Sequence, residues 1–157
     1  MNNSYPKMNN SHPDPVAVTQ DVLNRVSAAL LVDDDATFTD GLSLPYTMQL
    51  LPDIIMINDS SHLQAIYRAL RSYITVNQVT DFDQHCTGAT YTTDDEITAS
   101  YESRYLVGTR LLPQRTIAII RLRREAAIWR VFEGNFTFRD TPQQLIDSLK
   151  LPPPASD

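Results

Sequence analysis

A chain of 157 residues, 42% apolar and 20% charged, falls in the range of a single globular domain, long enough to build a core without disulfides or metals. Its formal net charge of -6 argues against a nucleic-acid partner, because binding a phosphate backbone calls for a basic face. The one cysteine, Cys86, has no mate for an internal bridge, and no apolar run reaches the roughly 18 residues of a membrane span or forms a signal-peptide core, so a cytoplasmic, soluble chain is expected.

Residues 1–13, rich in Asn, Ser and Pro, offer little to bury and are expected to form a tail ahead of one domain over 14–150. Asp14-Pro15 reads as an N-cap followed by a first-turn proline. Val18, Val22, Leu23, Val26, Leu30 and Leu31 then repeat at near-helical spacing. Asp33-Asp34-Asp35 lacks the alternation, the glycine and the distal glutamate of a calcium loop, so one of its aspartates is expected to cap a short helix carrying Phe38. Gly41 closes that helix. Leu42 to Leu50 follows as a strand whose Pro45 suits a sheet edge, and Ile54 to Ile57 as a second short strand.

Ser61-His62-Leu63-Gln64 matches a capping box, and Leu63, Ile66, Tyr67, Leu70, Tyr73 and Ile74 repeat as one helical stripe. Arg68, Arg71 and His62 are expected at the surface. From Val79 the period becomes two: Phe82, Gln84, Cys86 and Gly88 alternate with Asp81, Asp83, His85 and Thr87. Thr93-Asp94-Asp95 makes a turn into a strand with Ile97, Ala99, Tyr101, Ser103 and Tyr105 on one face. Pro113 is expected to interrupt the connection to a strand over Thr116–Arg123. The last strand, Ala127–Phe138, shows apolar residues on both faces and so reads as central. The run Arg121-Leu122-Arg123-Arg124-Glu125 reads as the solvated end of a strand, Thr141-Pro142 opens a short helix, and residues 151–157 form a Pro-rich tail.

This order of elements, with Leu44-Pro45-Tyr46 on the first strand, Val79-Thr80-Asp81 entering the sheet and Ile128-Trp129-Arg130-Val131 on the last strand, resembles the NTF2-like (SnoaL-like) superfamily over roughly residues 15–138. The resemblance implies an α+β cone, with helices packed on a strongly curved, mostly antiparallel sheet. It further implies a pocket at the cone's mouth and a homodimer through the sheet's outer face. The family holds isomerases, dehydratases, epoxide hydrolases and polyketide cyclases together with members that catalyse nothing, so chemistry has to be argued from the site.

In such a cone a desolvated carboxylate or histidine can transfer protons. Asp83 and His85, two apart on one strand and so about 6.5–7 Å apart on one face, are the candidate base and its orienter. Tyr101 or Tyr46 could donate to a developing oxyanion, and Glu133 is placed at the pocket or its rim. Against this stands the possibility that the Asp83/His85 face meets solvent, since Phe82 and Cys86 make the better buried side. Glu102 and Arg104 form a candidate ion pair, more simply a surface one. No metal-ligand spacing, GxSxG serine or Gly-rich phosphate loop occurs, so neither a metal nor a cofactor is expected. Two functions follow: a cone that binds a small apolar or aromatic metabolite, with cofactor-free acid/base activity of isomerase, dehydratase or cyclase type; or a non-catalytic homodimerisation or protein-interaction module with a filled cone.

Overall fold

The structure, a computed structural model, describes residues 12–150; of the tails expected for 1–13 and 151–157, residues 1–11 and 151–157 lie outside the described residues. Helix α1 spans Pro15–Leu31, α2 Asp35–Asp40, α3 Ser60–Val76 and α4 Gln143–Lys150. The strands are β1 Leu42–Leu50, β2 Asp53–Ile57, β3 Asp81–Thr93, β4 Glu96–Val107, β5 Arg110–Glu125 and β6 Ile128–Arg139. They form one six-stranded sheet in the order β2-β1-β6-β5-β4-β3, antiparallel except where β1 runs beside β6. Among the described residues no helix is long and apolar enough to cross a membrane.

The helices begin where short polar side chains meet orphan backbone N–H groups. Asp14 accepts from the Val16 N–H, and Asp34 accepts from both the N–H and the hydroxyl of Thr37. For α3 the cap is Asp59, which accepts from the His62 N–H at 2.9 Å; Ser61, expected as the cap, lies inside the first turn. His62 is a correction of its own. It is buried beside Leu63 and Ile66 rather than exposed, and its Nε2 has no partner among the described residues. Arg71 also leaves its expected solvated role, donating from Nη1 to the Leu30 carbonyl at 2.6 Å and so tying α3 to the end of α1.

The inner face of the sheet carries Met48, Leu50, Phe82, Ile97, Ala99, Tyr105, Ala118, Ile120, Leu122 and Val131, all buried against α1 and α3. Phe82 stacks on Tyr105 at 4.6 Å between ring centroids, and Tyr73 of α3 meets Tyr105 edge-on at 5.2 Å. Strand β3 is a sheet edge, and α1 covers part of it. The Gln20 side chain donates to the Gln84 carbonyl at 2.7 Å and accepts from the Cys86 N–H at 2.8 Å, taking the place of a neighbouring strand.

Three irregularities set the rest. Pro45 does not mark an edge strand, because β1 lies between β2 and β6; it falls where the β1–β6 register shifts between Leu42 and Thr47, so its missing N–H removes no bond there. Pro113 lies inside β5, not in a loop, at the register shift facing Arg104 and Leu106. In β6 the pairing passes from Leu122↔Val131 to Arg121↔Glu133, one extra residue on the β6 side. That bulge turns both Phe132 and Glu133 outward and returns Gly134, Phe136 and Phe138 to the inside. The outer face of β6 is therefore mostly polar, with Glu133, Asn135, Thr137 and Arg139, which corrects the expectation of two apolar faces. The strand is central nonetheless.

Candidate ligand cavity

Between α1, α3, α4 and the inner face of the sheet lies a cavity of about 130 Å³. Its walls are mainly aliphatic and aromatic: Val22, Leu23 and Leu30 from α1, Leu63, Ile66 and Leu70 from α3, Leu149 from α4, and Ile120, Val131, Phe136 and Phe138 from the sheet. The polar groups are few. They are Gln84, Ser103 and Thr116, and the hydroxyls of Tyr46, Tyr101 and Tyr105. Among the described residues no carboxylate, imidazole, amine or guanidinium lines it.

Each polar group arrives by strand parity. Gln84 follows Phe82 on the inward face of β3, and its Oε1 accepts from the Ser27 hydroxyl of α1 at 2.6 Å. Tyr101, Ser103 and Tyr105 share the inward face of β4. Tyr46 enters from β1 beyond the Pro45 irregularity and reaches over Gly134 of β6, where an added β-carbon would stand 3.0 Å from its hydroxyl. Burial, then the neighbouring Tyr101 phenol, pushes the Tyr46 pKa far above that of an ordinary phenol. Burial does the same for Tyr101, offset in part by contact with the Gln84 side chain, and for Tyr105. All three hydroxyls therefore stay protonated at neutral pH.

Of the residues proposed from sequence, the structure brings Tyr46 and Tyr101 together in the cavity. It does not bring Asp83, His85 or Glu133 there. Asp83 and His85 do share one face of β3, but it is the exposed outer face, opposite Arg104 and Glu102 of β4, because Phe82, Gln84 and Cys86 take the inner one. Glu133 is turned outward by the β6 bulge and accepts from Arg121 at 3.4 Å, while Arg121 also donates to Glu96 at 3.1 Å. Glu102 pairs with Arg115 at 3.0 Å instead of Arg104. The arginine-rich run is likewise engaged: Arg124 binds Asp95, and Arg121 and Arg123 lie over the Phe132 ring. Among the described residues no group of three or more His, Cys, Asp or Glu side chains is placed to hold a metal.

Sequence reasoning missed Gln84, Ser103 and Thr116 as cavity residues. The signal for two of them was present, since Gln84 alternates with Phe82 and Cys86, and Ser103 with Tyr101 and Tyr105. Thr116 needed the register of β5 beyond Pro113, which no local pattern supplies.

No family model and no curated protein sequence matches the chain. Solved structures do match. Aln2 from a Streptomyces species is similar with a TM-score of 0.61 at 13% identity, over 87% of this chain and 98% of that one. An NTF2-like protein of unknown function from Shewanella baltica is similar with a TM-score of 0.56 at 10% identity, over 80% and 94%. LinA is similar with a TM-score of 0.54 at 8% identity, over 78% and 84%. At these identities the likeness carries architecture and nothing finer. With its helices laid inside a six-stranded, mostly antiparallel sheet, the chain has the NTF2-like α+β cone fold.

Proposed function

We propose that the cone binds a small neutral molecule and does so without acid/base catalysis. The observation that carries this reading is a cavity walled by apolar side chains, with no group among the described residues of its lining that titrates near neutral pH. Proton transfer in a cone needs an acid or base poised near the working pH. Burying an ion without a counter-charge is costly, so the same lining disfavours charged ligands. A cavity of about 150 Å³ holds benzene, so the volume here suits one ring or a short branched chain rather than a fused-ring metabolite.

Methyl-detected NMR titration with toluene tests the reading. Saturable shifts confined to methyls such as those of Leu23, Leu63, Ile66, Ile120 and Val131 are expected; linear, scattered shifts would overturn it.

A specific feature of the outer face supports a second copy of the chain as partner. Ile54, Gln49, Asn135, Ile119 and Ser100 form one row across five strands without a charge, and Ile54 and Ile119 are 66% and 55% exposed. Charged pairs flank it, Arg115–Glu102 on one side and Arg121 with Glu96 and Glu133 on the other. A two-fold axis through the row would pack its apolar side chains together and set each flank against the opposite one. Light scattering on the native chain and on Ile119→Glu tests this. A dimer that the substitution splits supports it, and a native monomer at tens of micromolar overturns it.

A further inference from the structure

A groove separate from the cone runs along the outer side of α1. One wall is the helix, with Val18, Asp21, Arg25 and Ala28; the other is the β5–β6 turn, with Ile128 and Trp129. At about 710 Å³ it is much larger than the cone cavity, and it stands open to solvent. A small molecule would be left uncovered on one side there, whereas an extended segment of chain fits a groove with an aromatic wall. From Val18 to Ala28 the helix rises about 15 Å. At about 3.1 Å per residue, five extended residues span that length.

The chain is led into this groove by its own contacts. Pro13 belongs to the lining, and the Tyr91 hydroxyl donates to the Pro13 carbonyl at 2.8 Å. His12 lies against the Tyr91 ring at 5.2 Å between centroids and bonds Asp94 at 3.1 Å, while Tyr91 lies 6.0 Å from Trp129. Residues 1–11 therefore join the described chain at the mouth of the groove, and they outnumber the residues needed to line it. Among them Tyr5 and Met8 are the large side chains to remove from water, and Lys7 carries the one side-chain charge. In the groove the Arg25 guanidinium donates to the Trp129 carbonyl at 3.5 Å, which leaves Asp21 as the charge open to an incoming chain. Asn9-Asn10-Ser11 supplies the short polar residues that a chain reversal before His12 calls for.

We propose that Tyr5-Pro6-Lys7-Met8 of this chain folds back along α1 and occupies the groove, Tyr5 and Met8 against Ile128 and Trp129, and Lys7 beside Asp21. Pro6 favours the extended form the groove accepts. This docking is independent of what the cone binds.

Trp129 is the one tryptophan of the chain, so its fluorescence reports on the groove directly. Acrylamide quenching would be measured on the native 157-residue chain, on Tyr5→Ser with Met8→Ser, on Lys7→Glu, on Asp21→Lys and on Lys7→Glu with Asp21→Lys, each over a range of protein concentrations and with its melting curve. Loss of Tyr5 and Met8 is expected to lower the ratio of docked to free segment by more than about tenfold, the worth of one large apolar side chain, and so to raise quenching. Lys7→Glu and Asp21→Lys should each lower that ratio by about threefold, as for an exposed ion pair, and the charge-exchanged double variant should restore it. Quenching that does not rise in the Tyr5→Ser, Met8→Ser chain overturns the proposal, and so do single charge effects that add in the double variant. Quenching that falls as protein concentration rises gives the groove to a second copy and overturns it too.

Discussion

The Tyr46 hydroxyl lies over Gly134 across the parallel pair β1 and β6, 3.0 Å from the point a β-carbon on Gly134 would occupy. The same β-carbon would sit 2.5 Å from Cζ of Phe136. Gly134→Ala is therefore expected to push the Phe136 ring into the cavity and to destabilise the fold by about 1–3 kcal/mol. Stability to urea and toluene affinity should both fall in that variant. Unchanged values would show that the ring is free to move.

Asp83 and His85 face outward, clear of the cavity. Asp83→Asn and His85→Ala are expected to leave ligand affinity unchanged and stability within about 0.5 kcal/mol of the parent, as for most surface changes. A tenfold loss of affinity in either variant would place the site elsewhere than in the cone.

Gln20 holds the free edge of β3 through two backbone contacts. In Gln20→Ala the Gln84 carbonyl and the Cys86 N–H lose their partner, at a cost of about 1–3 kcal/mol. Hydrogen exchange should rise at Cys86 first. Exchange that stays slow there would mean the edge is protected by something other than this side chain.

The β5–β6 hairpin turns on Ala126 and Ala127, at φ 50° and 66°, a pair of left-handed conformations that alanine adopts reluctantly and Asn-Gly readily. Replacing the pair with Asn-Gly is expected to stabilise the chain by about 1 kcal/mol, read as a higher urea midpoint at constant slope. A lower midpoint would contradict the strain.

The helices, the first half of β3 up to Cys86 and most of β4 were legible because each carries one period, which in β3 ends where the register shifts after Cys86. The stripe from Leu63 to Ile74 and the alternation from Ile97 to Tyr105 both stand in the structure as read. What could not be read was wherever a single residue breaks the period. The extra residue after Val131 reverses the side to which Glu133 points, and nothing in Ile128–Phe138 announces it. His62 was mistaken through its polarity alone; one turn before Ile66, it already lay on the buried stripe. The pocket's composition depended on those parities. Tyr46 and Tyr101 fell inside it, while the one titratable pair that suggested catalysis fell outside.

The account rests on the cone holding a small neutral ligand, and a crystal structure of the protein soaked in phenol tests it most directly. It predicts ring density among Ile120, Val131 and Phe136. Phenol bound only on the outer face beside Asp83 and His85, or a cone that stays empty at saturating phenol, would contradict it.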